Sequence, residues 1–326
     1  MTTLVTGGTG YIGAHVVRLL RDRGDDVVVV DDLVTGVRGR IGDVPLVEMD
    51  LADSNAPAAL DTVIREYAVQ QVVHFAGRKQ VEESVRRPAW YFHQNVGSLA
   101  NVLLGMELAG VSRLVFSSSA AVYGTSEGPA LREDTPQVPV NPYGQSKLVG
   151  EWLISDAVLS QALRATSLRY FNVAGSGWPE LGDTATLNLV PMVFERLDRG
   201  MAPLIFGDDY DTADGTCIRD FIHVLDLADA HLKALDSLRS GPARNDIYNV
   251  GTGIGASVRE MVEQILFHSG SQAVSEVRPR RAGDPAVVVA DPQAIFAALG
   301  WEAHRGLADI VRSAWDSHEM LRNLAP

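Results

Sequence analysis

The sequence predicts an α/β fold, a doubly wound parallel sheet with a smaller C-terminal α/β lobe. Three observations carry that expectation. Leu4 and Val5 run into Thr6-Gly7-Gly8-Thr9-Gly10-Tyr11-Ile12-Gly13, after which Val16, Val17, Leu19 and Leu20 recur at helical spacing. Residues 27–30 are an unbroken β-branched run, Val27 to Val30, as suits a parallel strand covered on both faces. Strand and helix then alternate as far as about Asn172, the rhythm of a doubly wound sheet.

Each element follows from its residues. The glycine-rich turn opens a first helix that Gly24 stops, and the second strand ends in Asp31-Asp32. Residues 72–75 form a strand ending in Ala76-Gly77, and 95–108 a helix ending at Gly110. Residues 114–116 form a strand ending in Ser117-Ser118-Ser119. A helix is predicted over 143–159 and a strand over 166–170. Beyond Asn172, proline and glycine become frequent, as in Gly175-Ser176-Gly177-Trp178-Pro179, and the elements are expected to be short. The expected domains are 1–172 and 173–326, interleaved. Phe221-Ile222-His223-Val224 and Ile247-Tyr248-Asn249-Val250, within 219–226 and 247–251, are candidate strands returning to the main sheet.

Bulk properties narrow the function. A chain of 326 residues slightly exceeds the size at which single cores stop growing, so two lobes are expected. No stretch approaches the ~18 apolar residues of a membrane span. The N-terminus lacks a basic n-region and reads as a first strand rather than a signal peptide. Cys217 is the single cysteine, which excludes an internal disulfide. A cytoplasmic protein is expected. The net charge of -13 argues against nucleic-acid binding, and the eight histidines show no metal-ligand spacing, so no metal is assigned. An anionic small substrate would need arginines gathered locally.

Three constellations carry chemistry. Gly7, Gly10 and Gly13 follow a strand and open a helix, where glycine lets the backbone approach a pyrophosphate held at the helix N-terminus. Asp31, at the end of the second strand, is placed to accept from an adenosine ribose. A 2'-phosphate would face Asp31 and Asp32, a repulsion the more distant Arg38 does not recover, so NAD is expected over NADP. Tyr143 and Lys147 are four apart on a helix and share a face. Moving a phenol from ~10 to ~7 requires about 4 kcal/mol, and one cation at ~4 Å in an effective dielectric of ~20 supplies a comparable amount. Taken alone, Tyr-x-x-x-Lys is common on exposed helices. The third element is Ser117-Ser118-Ser119-Ala120-Ala121-Val122-Tyr123-Gly124, at a strand's carboxyl end, where a hydroxyl can serve a reacting alcohol or ketone, or simply cap a helix.

Together these motifs resemble the extended short-chain dehydrogenase/reductase family, with a Rossmann-type fold, and within it the UDP-glucose 4-epimerases. Further markers are His74-Phe75-Ala76-Gly77-Arg78-Lys79, Asn95-Val96, Asn141-Pro142-Tyr143, Arg169-Tyr170-Phe171-Asn172, Arg219-Asp220-Phe221-Ile222-His223-Val224 and Arg280-Arg281-Ala282-Gly283-Asp284. The match runs over nearly the whole chain. The resemblance implies Ser119, Tyr143 and Lys147 as the catalytic group. For NAD it implies Gly7, Gly10, Tyr11, Ile12, Gly13, Asp31, Asp32, Asp50, Leu51, Phe75, Ala76, Lys79, Asn95, Ser117 and Tyr170, with Tyr143 and Lys147. Ser119, Tyr143, Asn172, Asn188, Phe206, Arg219, Arg281 and Asp284 would hold a UDP-sugar, and guanidinium forks suit its phosphates.

The implied reaction is reversible 4-epimerisation of UDP-glucose and UDP-galactose through a 4-keto sugar, with NAD bound throughout. Dimerisation is expected by resemblance only. The alternatives are a related epimerase acting on UDP-N-acetylglucosamine, a pentose or a dTDP-sugar, and a nucleotide-sugar dehydratase or decarboxylase. A dehydratase carries an acidic pair after the corresponding strand, where this sequence has Ser119, Ala120 and Ala121. An inactive NAD-binding module would be expected to lose the Tyr/Lys pair, and Asp31 disfavours an NADPH-consuming reductase. By resemblance Val288 is the gate of the sugar pocket, and a small residue there leaves room for an N-acetyl group. Its other reading is a strand residue in a valine run.

Overall fold

The β-branched runs of the N-terminal half become a parallel sheet in the computed structural model, which describes residues 1–324 except 126, 127, 129 and 282. In chain order the strands are β1 (Thr2–Thr6), β2 (Asp26–Asp31), β3 (Leu46–Glu48), β4 (Gln71–His74), β5 (Arg113–Ser117), β6 (Arg164–Tyr170), β7 (Asn172–Ala174), β8 (Leu204–Phe206), β9 (Ile218–His223), β10 (Arg244–Val250), β11 (Gly255–Ser257), β12 (Glu276–Arg278) and β13 (Val287–Val288). The helices are α1 (Tyr11–Asp22), α2 (Ala56–Glu66), α3 (Val81–Arg86), α4 (Pro88–Phe92), α5 (Ser98–Ala109), α6 (Pro142–Gln161), α7 (Leu189–Asp198), α8 (Val224–Ser237), α9 (Val258–Ser269), α10 (Gln293–Leu299) and α11 (Leu307–Leu324).

Seven strands form one sheet in the order β10-β6-β5-β4-β1-β2-β3. Every pairing from β3 across to β6 is parallel. The chain moves outward one way through β2 and β3, then the other way through β4, β5 and β6. That reversal between β1 and β4 leaves a crevice at the carboxyl ends of the strands, where open α/β sheets bind ligands. Val28, Val29 and Val30 are fully buried, which is why the run shows no polar alternation. Leu4, Val28, Leu60, Leu99, Met106, Leu114 and Ile154 join one core, each large side chain contributing about 2 kcal/mol on burial.

The chain divides into two units. The first comprises Met1–Gly124, Gln137–Arg169 and Ala228–Tyr248; the second comprises Thr125–Pro136, Tyr170–Leu227 and the chain from Asn249. In the second, β9 lies between β11 and β13 and also pairs β7, while β12 pairs β8. Val190, Phe194, Ile205, Phe221, Met261, Ile265 and Ile310 form its core.

Three expectations are corrected. Ile247-Tyr248-Asn249-Val250 lies in β10 of the large sheet, but the 219–226 segment does not return there. Phe221 packs into the second core, which keeps β9 in the smaller sheet, and Val224 opens α8. The elements beyond Asn172 are not all short: α8 has 14 residues and α11 has 18, because proline and glycine are concentrated in the loops. The helix expected from Asn95 begins as α5 at Ser98, after a π-helical turn at His93–Gly97 that carries Asn95. It ends as expected at Gly110, in the left-handed conformation (φ 75°) that glycine accepts without strain.

Candidate functional site

At the end of β1 the backbone needs glycine for two reasons. Gly7 has φ +70° and a Cβ there would lie 2.7 Å from the Ala76 nitrogen; at Gly13 a Cβ would lie 2.3 Å from the Gly7 carbonyl oxygen. Gly10 differs, since an added Cβ would approach only the Gly7 oxygen, at 3.2 Å. It immediately precedes α1, whose first N–H groups have no side-chain cap. Asp31, at the end of β2, is buried, and its carboxylate accepts from the Thr9 and Leu33 backbone N–H groups, both at 3.0 Å. Thr9 Oγ1 is buried without a hydrogen-bond partner.

The other residues assigned to this end are placed unevenly. Tyr11 is buried edge-on to His15 and Ile12 is half-buried. Asp50 is exposed and accepts from the Ala52 N–H at 2.9 Å, whereas the Leu51 side chain is part of the core and its carbonyl accepts from Asn101 Nδ2 at 2.8 Å. Phe75 packs against the His231 ring at 4.7 Å, Ala76 receives support from Thr6, and Lys79 is exposed. Asn95 donates to Ser146 Oγ at 2.9 Å, tying the π-helical turn to α6.

The catalytic candidates meet where β5 ends against α6. Asn141 caps α6 by accepting from the Gly144 N–H at 2.9 Å, with Pro142 in the first turn, so the helix starts with Tyr143 in its first turn. Tyr143, Lys147 and Glu151 then share one face at four-residue intervals. Three consecutive serines meet them. The Ser119 side chain hydrogen-bonds Tyr143, the Ser117 carbonyl accepts from Lys147 Nζ at 2.7 Å, and Ser118 Oγ donates to Glu151 Oε1 at 2.5 Å. Ser119 also accepts from the Ala121 N–H at 3.1 Å, capping a short 3-10 turn at Ala120–Tyr123.

Glu151 and Arg169 extend this arrangement inward. Arg169 Nε donates to Glu151 Oε1 at 2.9 Å and Nη2 to Oε2 at 2.6 Å, while Nη1 donates to the Tyr123 hydroxyl at 2.9 Å. Breaking such a buried pair costs about 3–5 kcal/mol, because one charge is left unpaired. Sequence reasoning assigned no role to Glu151; its position eight residues past Tyr143, on the same helix face, was the available signal.

The electrostatics depart from expectation. Burial pushes the Tyr143 phenol above its ordinary value, and the Ser119 hydrogen bond opposes this only in part. Burial also pulls the Lys147 ammonium down to about 8 against the pull of Glu151. The ammonium is committed to the Ser117 carbonyl and lies 5.0 Å from the centre of the Phe116 ring. The phenol's shift is thus set by desolvation, with Ser119 rather than Lys147 as the group that opposes it.

The second unit gathers four of the residues assigned to a nucleotide diphosphate. Arg219 Nη2 donates to Asp284 Oδ1 at 2.5 Å, the Asp284 N–H donates to the Arg281 carbonyl at 3.3 Å, and the Arg281 guanidinium lies 4.2 Å over the Phe206 ring. Asp284 compensates Arg219, so the local positive charge rests on exposed Arg281 more than expected. Val288 pairs in register with Arg219 across β13 and β9. Asn172 opens β7, Asn188 precedes α7 and donates to Asp183 at 2.7 Å, and Tyr170 ends β6. Among the described residues no group of three or more His, Cys, Asp or Glu is placed to hold a metal ion.

The profile of the NAD dependent epimerase/dehydratase family matches residues 3–251. The chain belongs to this family. Among epimerase relatives, the UDP-glucose 4-epimerase of Azospirillum brasilense is 46% identical over 95% of this chain and 90% of its own. A UDP-glucose 4-epimerase structure from Stenotrophomonas maltophila, with bound NAD and formylated UDP-arabinopyranose, superposes with TM-score 0.93 at 37% identity over 100% of both chains. The UDP-Glc/GlcNAc 4-epimerase of Campylobacter jejuni gives TM-score 0.85 at 36% identity, covering 98% of this chain and 99% of its own.

The first unit of this epimerase/dehydratase fits NAD on its own observations: bare backbone at Gly10 before an uncapped helix, the orphaned Thr9 hydroxyl, and a buried Asp31 carboxylate. Asp32 does not supply the second uncompensated negative charge expected of it, because its carboxylate is ion-paired with Arg78. Of the two carboxylates, Asp31 is the one without an ion-pair partner among the described residues, so the expected discrimination against a 2'-phosphate falls to it. Titration of apoprotein is expected to show NAD binding about 100-fold tighter than NADP, the ratio shrinking in Asp31→Ala; equal affinities in the native protein would refute this assignment.

Proposed function

We propose that the chain interconverts UDP-glucose and UDP-galactose by inverting C4 through a transient 4-keto sugar, as an NAD-dependent isomerase. The observation that carries this reading is the Ser119–Tyr143–Lys147 group at the carboxyl end of β5, in the same unit as a glycine turn suited to the dinucleotide. Bound NAD supplies reversible acceptance of hydride from the sugar C4 and, when oxidised, a positive charge.

Tyr143 accepts the proton of the 4-hydroxyl and later returns it. Ser119 hydrogen-bonds the phenol, which supports a role for its hydroxyl toward the same sugar oxygen. Lys147 adds positive charge that favours phenolate. Arg281 and Arg219 suit the diphosphate, so the protein grips the nucleotide and leaves the hexose free to turn over. Elimination of water would need an acid and a base after β5. Ser119, Ala120 and Ala121 offer neither, which disfavours a dehydratase.

Two finer points belong to the same reading. Leu104 and Leu108 on α5 and Trp152 and Leu159 on α6 are exposed apolar residues, which supports association of two copies through these helices. A cytoplasmic setting is supported by Cys217, the single cysteine, held buried as a free thiol. No helix among the described residues is long and apolar enough to cross a membrane.

The sugar range is tested together with the reaction. Incubated without added cofactor, the protein is expected to convert UDP-glucose and UDP-galactose into each other; no conversion would overturn the reading. Val288 lacks the ring and hydroxyl of a tyrosine gate, and unused space costs less than a clash in a packed wall, so UDP-N-acetylglucosamine is expected to turn over measurably. Val288→Tyr should lower that N-acetyl activity by about tenfold or more while sparing the plain hexoses. N-acetyl turnover that survives the tyrosine unchanged would remove Val288 from the pocket wall.

A further inference from the structure

We propose that the ion pair between Arg78 and Asp32 is a strap across the dinucleotide crevice that slows release of bound NAD. The inference rests on the NAD reading above. In the sheet, β1 lies between β4 and β2. Asp32 is the first residue after β2 and Arg78 is the fourth after β4, while the glycine turn leaves β1 between them. Neighbouring strands are ~4.8 Å apart, so β2 and β4 are ~10 Å apart. A bond between residues following these two strands therefore spans the end of β1, a distance that the long arginine side chain can cover.

Both ends of the bridge are braced. Asp32 Oδ1 accepts from the Val34 N–H at 3.1 Å, while Oδ2 accepts from Arg78 Nη2. The Arg78 guanidinium also donates to Gln94 Oε1, from Nε at 3.2 Å and Nη2 at 3.0 Å. Its backbone is clamped by Asn95, which accepts from the Arg78 N–H at 2.7 Å and donates to the Arg78 carbonyl at 3.0 Å. The two side chains are 16% and 24% exposed, so the pair is partly desolvated yet within reach of salt. Exposed helix pairs such as Arg18–Asp22 join neighbouring turns; this one joins segments 46 residues apart. A cofactor that must give back what it takes has to stay bound through both halves of the reaction, and a strap serves that need.

The test follows the cofactor itself rather than turnover. Protein purified with its NAD is placed with an excess of an NAD-degrading enzyme, and the NAD still bound is released by acid and quantified over time. Arg78→Leu and Asp32→Asn are each expected to release NAD about tenfold faster than the native protein. The double variant should be no faster than either single one, and added salt should speed release from the native protein alone. Native release rates in both single variants overturn the strap, whereas native protein that carries no NAD overturns the cofactor reading beneath it. Asp32→Asn keeps the side-chain shape and the bond from Val34, so misfolding of Arg78→Leu alone leaves the test decisive.

Discussion

Tyr143→Phe is expected to lower the epimerisation rate by about 10²–10⁴-fold while leaving the fold and the bound NAD intact. The substitution removes one oxygen from the first turn of α6, and the Asn141 cap and Pro142 that start the helix are untouched. What it removes chemically is the only side chain at this serine–helix junction proposed to take the proton of the sugar hydroxyl. Because the defect lies in proton transfer, kcat should fall far more than KM rises. The measurements are product formation from UDP-galactose, NAD content per chain, and the thermal unfolding midpoint. Turnover near that of the native protein would end the mechanism proposed here; loss of NAD along with turnover would instead make retention of the cofactor the main role of Tyr143.

Much of this site was legible because its signals are local. The glycine turn declares itself through spacing after a strand, and Gly7 and Gly13 are required by contacts of 2.7 and 2.3 Å that any Cβ would make. Asp31 was visible as the acidic end of a β-branched run, and the helix from Tyr143 as the element that sets Tyr143 and Lys147 on one face. That β1, β2, β4, β5 and β6 run parallel in one sheet followed from the alternation of strand and helix. The short β3, three residues of edge strand, carries too little pattern to be read.

What stayed hidden depends on partners distant in sequence. Glu151 looks like an ordinary helix residue until Arg169, eighteen positions away, and Ser118 close on its carboxylate. Asp32 reads as an exposed charge until Arg78, from another strand end, neutralises it. The placement of β9 turns on Phe221 entering the second core, which no run of four residues announces. The phenol's environment was hidden for a related reason: a pair of residue types suggests an attraction, but only the packed structure gives the desolvation that raises the phenol.

Lys147→Met is expected to reduce turnover strongly at neutral pH, with a gap from the native protein that narrows as pH rises. Two titrations close the gap. In the native protein, burial holds the ammonium at about 8, so its charge is present below that pH and lost as pH rises through it. In the variant no cation is available, yet the Tyr143 phenol ionises increasingly by itself as pH approaches its raised value. The native rate should therefore lose Lys147's support as pH rises through about 8, while the variant gains with pH toward the phenol's raised value. Rate profiles of both proteins from neutral to alkaline pH, on protein shown to carry equal NAD, measure this directly. A loss that is the same at every pH would mean that Lys147 acts by holding the cofactor and the Ser117 carbonyl in place, and that its charge does not act on the phenol.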